Sequence, residues 1–133
     1  LRAGRVVTNM HAIIAGAGSS VTLAKLGLYG AAGARLGLTA SFHGDMSGAP
    51  GTWALTAPYT ILTSGLYYRA LLVVFGGSAP NFAGTGRTFV GGSDDGVGSG
   101  SRLNGRQGAQ TDLPSPATIA AADQVNKPWI GVS

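Results

Sequence analysis

With 133 residues and no cysteine, the chain is one domain's worth, long enough for a single hydrophobic core and unable to form disulfides or thiolate metal sites. Charged residues make up only 11%, against 23 glycines, and the net charge of +4 comes from cations scattered singly between Arg2 and Lys127, without the basic stripe that nucleic-acid binding requires. No apolar run approaches the ~20 residues of a membrane-spanning helix, and no charged, apolar and small-residue succession marks a signal peptide. A surface kept polar by Ser, Thr, Asn and backbone suits an extracellular or assembled state. The opening at Leu1, without an initiator Met, reads as a segment of a longer polypeptide.

The first strand is expected over Arg5–Ile14, with Val6, Thr8, Met10, Ala12 and Ile14 on the core face and Asn9 and His11 opposite. A small-residue turn over Ala15–Ser20 leads to a second strand, Val21–Tyr29. Ala24, Leu26 and Leu28 share one of its faces, and Val21, Leu23, Lys25 and Tyr29 the other. The turn Gly30–Gly33 makes a hairpin with Ala34–Thr39. A polar connection from Ser41 to Pro50 precedes a short strand, Thr52–Thr56; Ala57-Pro58 then interrupts the ladder, because proline lacks the donor, and Tyr59–Leu62 resumes it.

Gly65–Phe75 is the most apolar strand of the chain. Leu66, Tyr68, Ala70, Leu72 and Val74 alternate with Tyr67, Arg69, Leu71, Val73 and Phe75, so both faces are expected to be covered, one of them by a neighbouring subunit. Arg69, the one charge, should reach the sheet edge or pair across a subunit contact. Beyond Gly76 the texture changes to glycine and serine with single apolar residues. An irregular loop region is expected from 76 to about 127, with only Arg87–Val90 and Arg102-Leu103 extended; its 76–116 part is the surface to test. Ser115–Asp123 reads as one helical turn or a tether. Pro128–Val132 closes the chain as a short strand anchored by Trp129. Short strands at turn-marked spacings without a sustained helical period give an all-β fold, an antiparallel β-sandwich of jelly-roll-like form, in a single domain over 1–133.

Signals for chemistry are weak. His43-Gly-Asp45 with His11 offers too few ligands for a metal site, and a loop histidine beside a turn-stabilising aspartate is the simpler reading. Asp94-Asp95 lies in a calcium-friendly composition but lacks alternating oxygen ligands and a terminal Glu. Gly98-Ser-Gly100 is no nucleophile elbow, and Gly84-Thr-Gly86 has no Gly-Lys-Ser/Thr ending. All five acids are aspartates in or near loops, with no nucleophile and base positioned beside them, so no enzyme and no cofactor is expected. Among aromatics, Phe42, Phe82 and Phe89 fall in or beside loops, where they either tuck onto the sandwich or stack on sugar rings or a partner chain.

Leu1–Asn9, Leu23–Tyr29, Leu55–Thr60, Ser64–Tyr68, Ala70–Val74, Gly108–Pro114 and Pro128–Gly131 together resemble a β-sandwich domain found in minor tail, tail-fibre and related virion proteins of phages that infect actinobacteria. The resemblance spans most of the chain outside about 84–106, and its motifs are structural. It implies a C-terminal segment of a longer virion protein, in an extracellular particle, commonly homotrimeric, that braces a fibre or contacts the host envelope. Partners would be further copies, other virion proteins and a host cell-surface glycan, with no nucleic acid and no membrane insertion. Phe82, Phe89, Asp94, Asp95, Arg102 and Arg106 are the candidate partner or glycan contacts. A capsid decoration or head-fibre protein, and a glycan depolymerase, are the competing functions.

Overall fold

The computed structural model of the chain describes residues 1–46, 50–85, 111–117, 127–128 and 130–133. Its strands are β1 (Val6–Gly16), β2 (Val21–Gly30), β3 (Arg35–Leu38), β4 (Pro50–Thr60), β5 (Tyr67–Phe75), β6 (Asn81–Phe82), β7 (Gly84–Thr85), β8 (Lys127–Pro128) and β9 (Ile130–Val132), with a 3-10 turn at His43–Asp45. Two antiparallel sheets carry the core. In one, β1 is central, with β4 on one edge and β9 and β6 in succession on the other; in the other, β2 is central between β3 and β5. β7 and β8 form a separate two-stranded ribbon. Met10, Ala12 and Ile14 of β1 face Ala24, Leu26 and Leu28 of β2, and Phe42, Met46, Leu55, Ile61 and Ile130 fill the rest of the shared core. The all-β reading with two packed antiparallel sheets therefore holds.

Local chemistry explains where the ladders bend. Thr8 and Asn9 both donate their N–H to the carbonyl of Ser133, at 2.7 and 2.9 Å, which is the signature of a β-bulge. The bulge reverses the parity of β1. Val7 is buried while Val6 is 48% exposed, and Thr8 also faces out, so the expected core face is correct only from Met10 onward. On β4 the register jumps from Tyr59, opposite Val7, to Ala54, opposite Asn9. Pro58 lies in that excursion, where no ladder donor is needed. The excursion also carries Leu55 across to Thr39, beyond β3, so that one edge of each sheet is tied to the other. Gly37 makes room for this, since a Cβ there would stand 2.9 Å from Leu55 Cδ1.

The hairpin of β2 and β3 forms as expected, and pairing continues past it. Thr39 N–H donates to the Leu26 carbonyl, its Oγ1 accepts from the Leu26 N–H, and Phe42 N–H donates to the Ala24 carbonyl. The connection that follows is less polar than its sequence suggests, because Phe42 and Met46 are buried.

β5 forms as a strand, as expected. It is an edge strand, paired along its length with β2. None of its nine residues is fully buried by the described chain, and Leu66 and Phe75 at its ends are 50% and 42% exposed. Its inner face still meets the core through Tyr67 and Leu71. Arg69 reaches the sheet edge, where its Nη1 donates to the carbonyl of Ile130 in β9. That contact joins the second pair of sheet edges. Among the described residues past Gly76, the short strands β6 and β7 and residue 127 of β8 are extended where an irregular loop was expected, and residues 115–117 are not helical.

Candidate functional site

Of the residues singled out as partner contacts, Phe82 sits on β6 opposite Ile14, half-buried against the core. Phe89, Asp94, Asp95, Arg102 and Arg106 lie outside the described residues, as do the extended segments expected at 87–90 and 102–103, and Trp129. Phe42 takes the first of its two expected alternatives and tucks onto the sandwich: it is 2% exposed and stacks on Trp53, with centroids 3.9 Å apart and planes at 21°. The Trp53 ring lies flat over Gly51, where a Cβ would come within 2.0 Å of it. This aromatic pair closes one side of the core instead of meeting a partner.

The two histidines do not build a shared centre. His43 takes a hydrogen bond with Ser41 Oγ at 3.0 Å inside its exposed turn, and Asp45 closes that turn with its N–H on the Phe42 carbonyl. His11 lies on the outer face of β1, its Nδ1 2.9 Å from Thr52 Oγ1 and its Nε2 2.8 Å from Ser133 Oγ. A hydroxyl within reach of an imidazole is the first requirement of nucleophilic catalysis. Here the residue on the other ring nitrogen is a neutral hydroxyl, and the Ser133 N–H already donates to the Asn9 carbonyl. The arrangement pins β1, β4 and the end of β9 together across one sheet.

A third polar cluster holds residues 111–117 as a strap over the outer face of β2 and β3. Tyr29 Oη donates to the Pro114 carbonyl at 2.8 Å, Arg35 Nη1 donates to the Leu113 carbonyl, and Ala117 N–H donates to the Gly33 carbonyl at 2.9 Å. Lys25 Nζ lies 3.0 Å from Asp112 Oδ1, and the same oxygen accepts the Leu113 N–H at 2.8 Å. The lysine hydrogen bond first, then the Leu113 N–H, hold the Asp112 carboxyl below its ordinary pKa. Burial under the strap raises the Tyr29 phenol above its own, with the Arg35 charge opposing the shift. Leu113, 5% exposed, fills the hollow over Gly27, where a Cβ would meet its Cδ1 at 2.9 Å.

The fourth feature is a cleft between the sheets on the side where β5 and β9 approach. Leu28 forms its floor, with Leu1, Leu66, Tyr67 and Val132 as walls and Arg69 at the rim, around a volume of about 250 Å³.

Protein-family models, curated protein sequences and solved structures give no match to this chain. Among the described residues no three His, Cys, Asp or Glu side chains gather closely enough to hold a metal ion.

Sequence reasoning passed over the strap and the cleft. The signal for the strap was Gly27, a glycine inside a strand, which marks close approach of another chain segment. The cleft had no local signal, since its lining comes from residues far apart in sequence.

Proposed function

We propose that the chain is a structural module of a phage virion, at the tail tip or in a tail fibre, that assembles as a homo-oligomer, a trimer being favoured, and takes part in attachment to the host surface. The observation that carries this reading is β5. It is nine residues long, has a single charge, stands at a sheet edge, and is left half-exposed by the described chain. A long apolar edge is an aggregation hazard unless it is covered. A closed homo-oligomer covers it without introducing charge, and the low charge of the whole chain suits a protein that works in an assembly. The resemblance to actinobacteriophage virion sandwich domains points the same way, and the jelly-roll-like form of the sandwich belongs with it. The reading assigns no catalysis, in keeping with an imidazole whose two nitrogens are both held by hydroxyls.

Multi-angle light scattering combined with binding to host envelopes tests the proposal. A trimer that binds envelopes supports it, and deletion of residues 84–106 should then abolish binding if Phe89, Asp94, Asp95, Arg102 and Arg106 make the contact. A stable monomer at tens of micromolar would refute the assembly. Binding to empty capsids instead of envelopes would make the chain a decoration or head-fibre protein, and release of reducing sugar would make it a depolymerase.

A further inference from the structure

Residues 1–6 and the loop between β4 and β5 build a projecting tip. Gly4 N–H donates to the Ile61 carbonyl and Ile61 N–H to the Arg5 carbonyl, both at 2.8 Å. Gly65 N–H donates to the Leu1 carbonyl at 3.0 Å, and Ala3 N–H to Ser64 Oγ at 2.9 Å. Ile61 is fully buried and anchors this pairing. Beyond it, every residue of 2–6 and of 62–66 is exposed. A Cβ added at Gly4 or Gly65 would meet no atom within 4 Å, so the backbone there stands clear of the sandwich.

Single exposed leucines and valines need no explanation, but here they are concentrated. Of the four large hydrophobic side chains exposed among the described residues, Val6, Leu62 and Leu66 are on this tip, at 48%, 77% and 50%, and only Phe75 is elsewhere. The charged side chains on and beside the tip are of one sign. Arg2 and Arg5 belong to it, Arg69 lines a cleft with Leu1 and Leu66, and all three are exposed. The two described aspartates lie elsewhere, Asp45 in the 3-10 turn and Asp112 on the strap. The only ion pair among the described residues is that of Lys25 with Asp112, so no carboxylate neutralises these arginines there. A soluble polyanion would use the arginines and leave the leucines in water. A bilayer surface with anionic headgroups uses both, because apolar burial and headgroup attraction add.

We propose that this tip docks on an anionic lipid surface, with Leu62 and Leu66 seated among the first acyl carbons, Val6 beside them, and the three arginines on headgroup phosphates. The contact is shallow, made by the side chains of two short exposed segments and of Arg69. It supplies a partner surface for the attachment reading and rests on that reading only for its setting, since vesicle binding and envelope binding are measured separately and either can fail alone.

The test is co-sedimentation of the intact chain with an excess of vesicles, made of phosphatidylcholine alone or with about one-third phosphatidylglycerol. Partitioning should appear on the anionic vesicles, be roughly tenfold or more weaker on the neutral ones, and fall as salt is raised. Leu62→Ala and Leu66→Ala should each weaken it about tenfold, and Arg2→Gln about fivefold. All three side chains are exposed, so the melting temperature should stay nearly unchanged. Phe75→Ala, at the far end of β5, is the control and should partition as the parent does. Equal partitioning on neutral and anionic vesicles would overturn the role of the arginines. No partitioning on anionic vesicles, or partitioning that both leucine variants retain in full, would overturn the tip as the docking surface.

Discussion

Truncating Leu113 to alanine removes the side chain that seats the 111–117 strap on β2. Leu113 is 5% exposed, and the change deletes three carbons from the hollow above Gly27. At about 0.8 kcal/mol per methylene, the transfer loss is about 2.4 kcal/mol. That lies at the low end of the roughly 2–5 kcal/mol seen for core leucines, as it should, because water can enter beneath a single strap and no sealed cavity is left. With an m-value of about 2 kcal/mol/M in urea, the midpoint should fall by about 1 M. With about 2.1 cal/mol/K of unfolding entropy per residue, the melting temperature should drop by roughly 8 °C. Urea unfolding followed by circular dichroism measures the first and calorimetry the second. Gly27→Ala supplies an internal check: its new methyl group collides with Leu113, so the double variant should be less damaged than the sum of the singles. A midpoint within 0.2 M of the parent, with m unchanged, would mean that the strap is not part of the cooperative fold.

The pair Lys25–Asp112 makes strap attachment sensitive to acid. Because the folded state holds the Asp112 carboxyl below its ordinary pKa, its contribution is complete above about pH 4 and is lost as the pH falls through the lowered value; Asp112→Asn should flatten that limb of the stability–pH curve. Gly51→Ala should displace the Trp53 ring from Phe42 and cost about 1–3 kcal/mol, seen as a lower urea midpoint and a weaker near-ultraviolet signal. The bulge in β1 separates two adjacent valines. Val7→Ala should destabilise by about 2 kcal/mol and Val6→Ala by less than about 0.5, and equal costs in urea melts would contradict the reversed parity.

Alternation was enough to place β2, β3 and the inner half of β1, because there the ladder is regular and one face meets the core. It failed at Val6–Thr8, where two N–H groups converge on one carbonyl and every later side chain changes face; nothing in Arg5-Val-Val-Thr-Asn announces that. Pro58 did mark the break in β4, since a missing donor is a local property. Phe42 looked like a loop aromatic only because its stacking partner, Trp53, arrives from another strand. For β5 the composition correctly signalled a strand, but not that it would be an edge. Edge and centre differ in what pairs on the second side, which lies elsewhere in the chain. The cleft was illegible for the same reason, and the strap showed only Gly27 as a local sign, without its partners: Arg69 and Ile130, or Tyr29 and Pro114, meet only after the sheets have formed.

Arg5, Arg35 and Arg69 each fasten a late stretch of the chain by its main-chain oxygen, at Val132, Leu113 and Ile130. An amide oxygen neither titrates nor varies with the residue that carries it. These three fastenings should therefore hold from mild acid to mild alkali and lose less in high salt than an ion pair does. They also place no demand on the identity of the side chains they secure. What restricts the residues at 113 and 130 is burial, at 5% and 6% exposure, and not these hydrogen bonds, so the anchoring of the late segments and the choice of their side chains are set by separate forces.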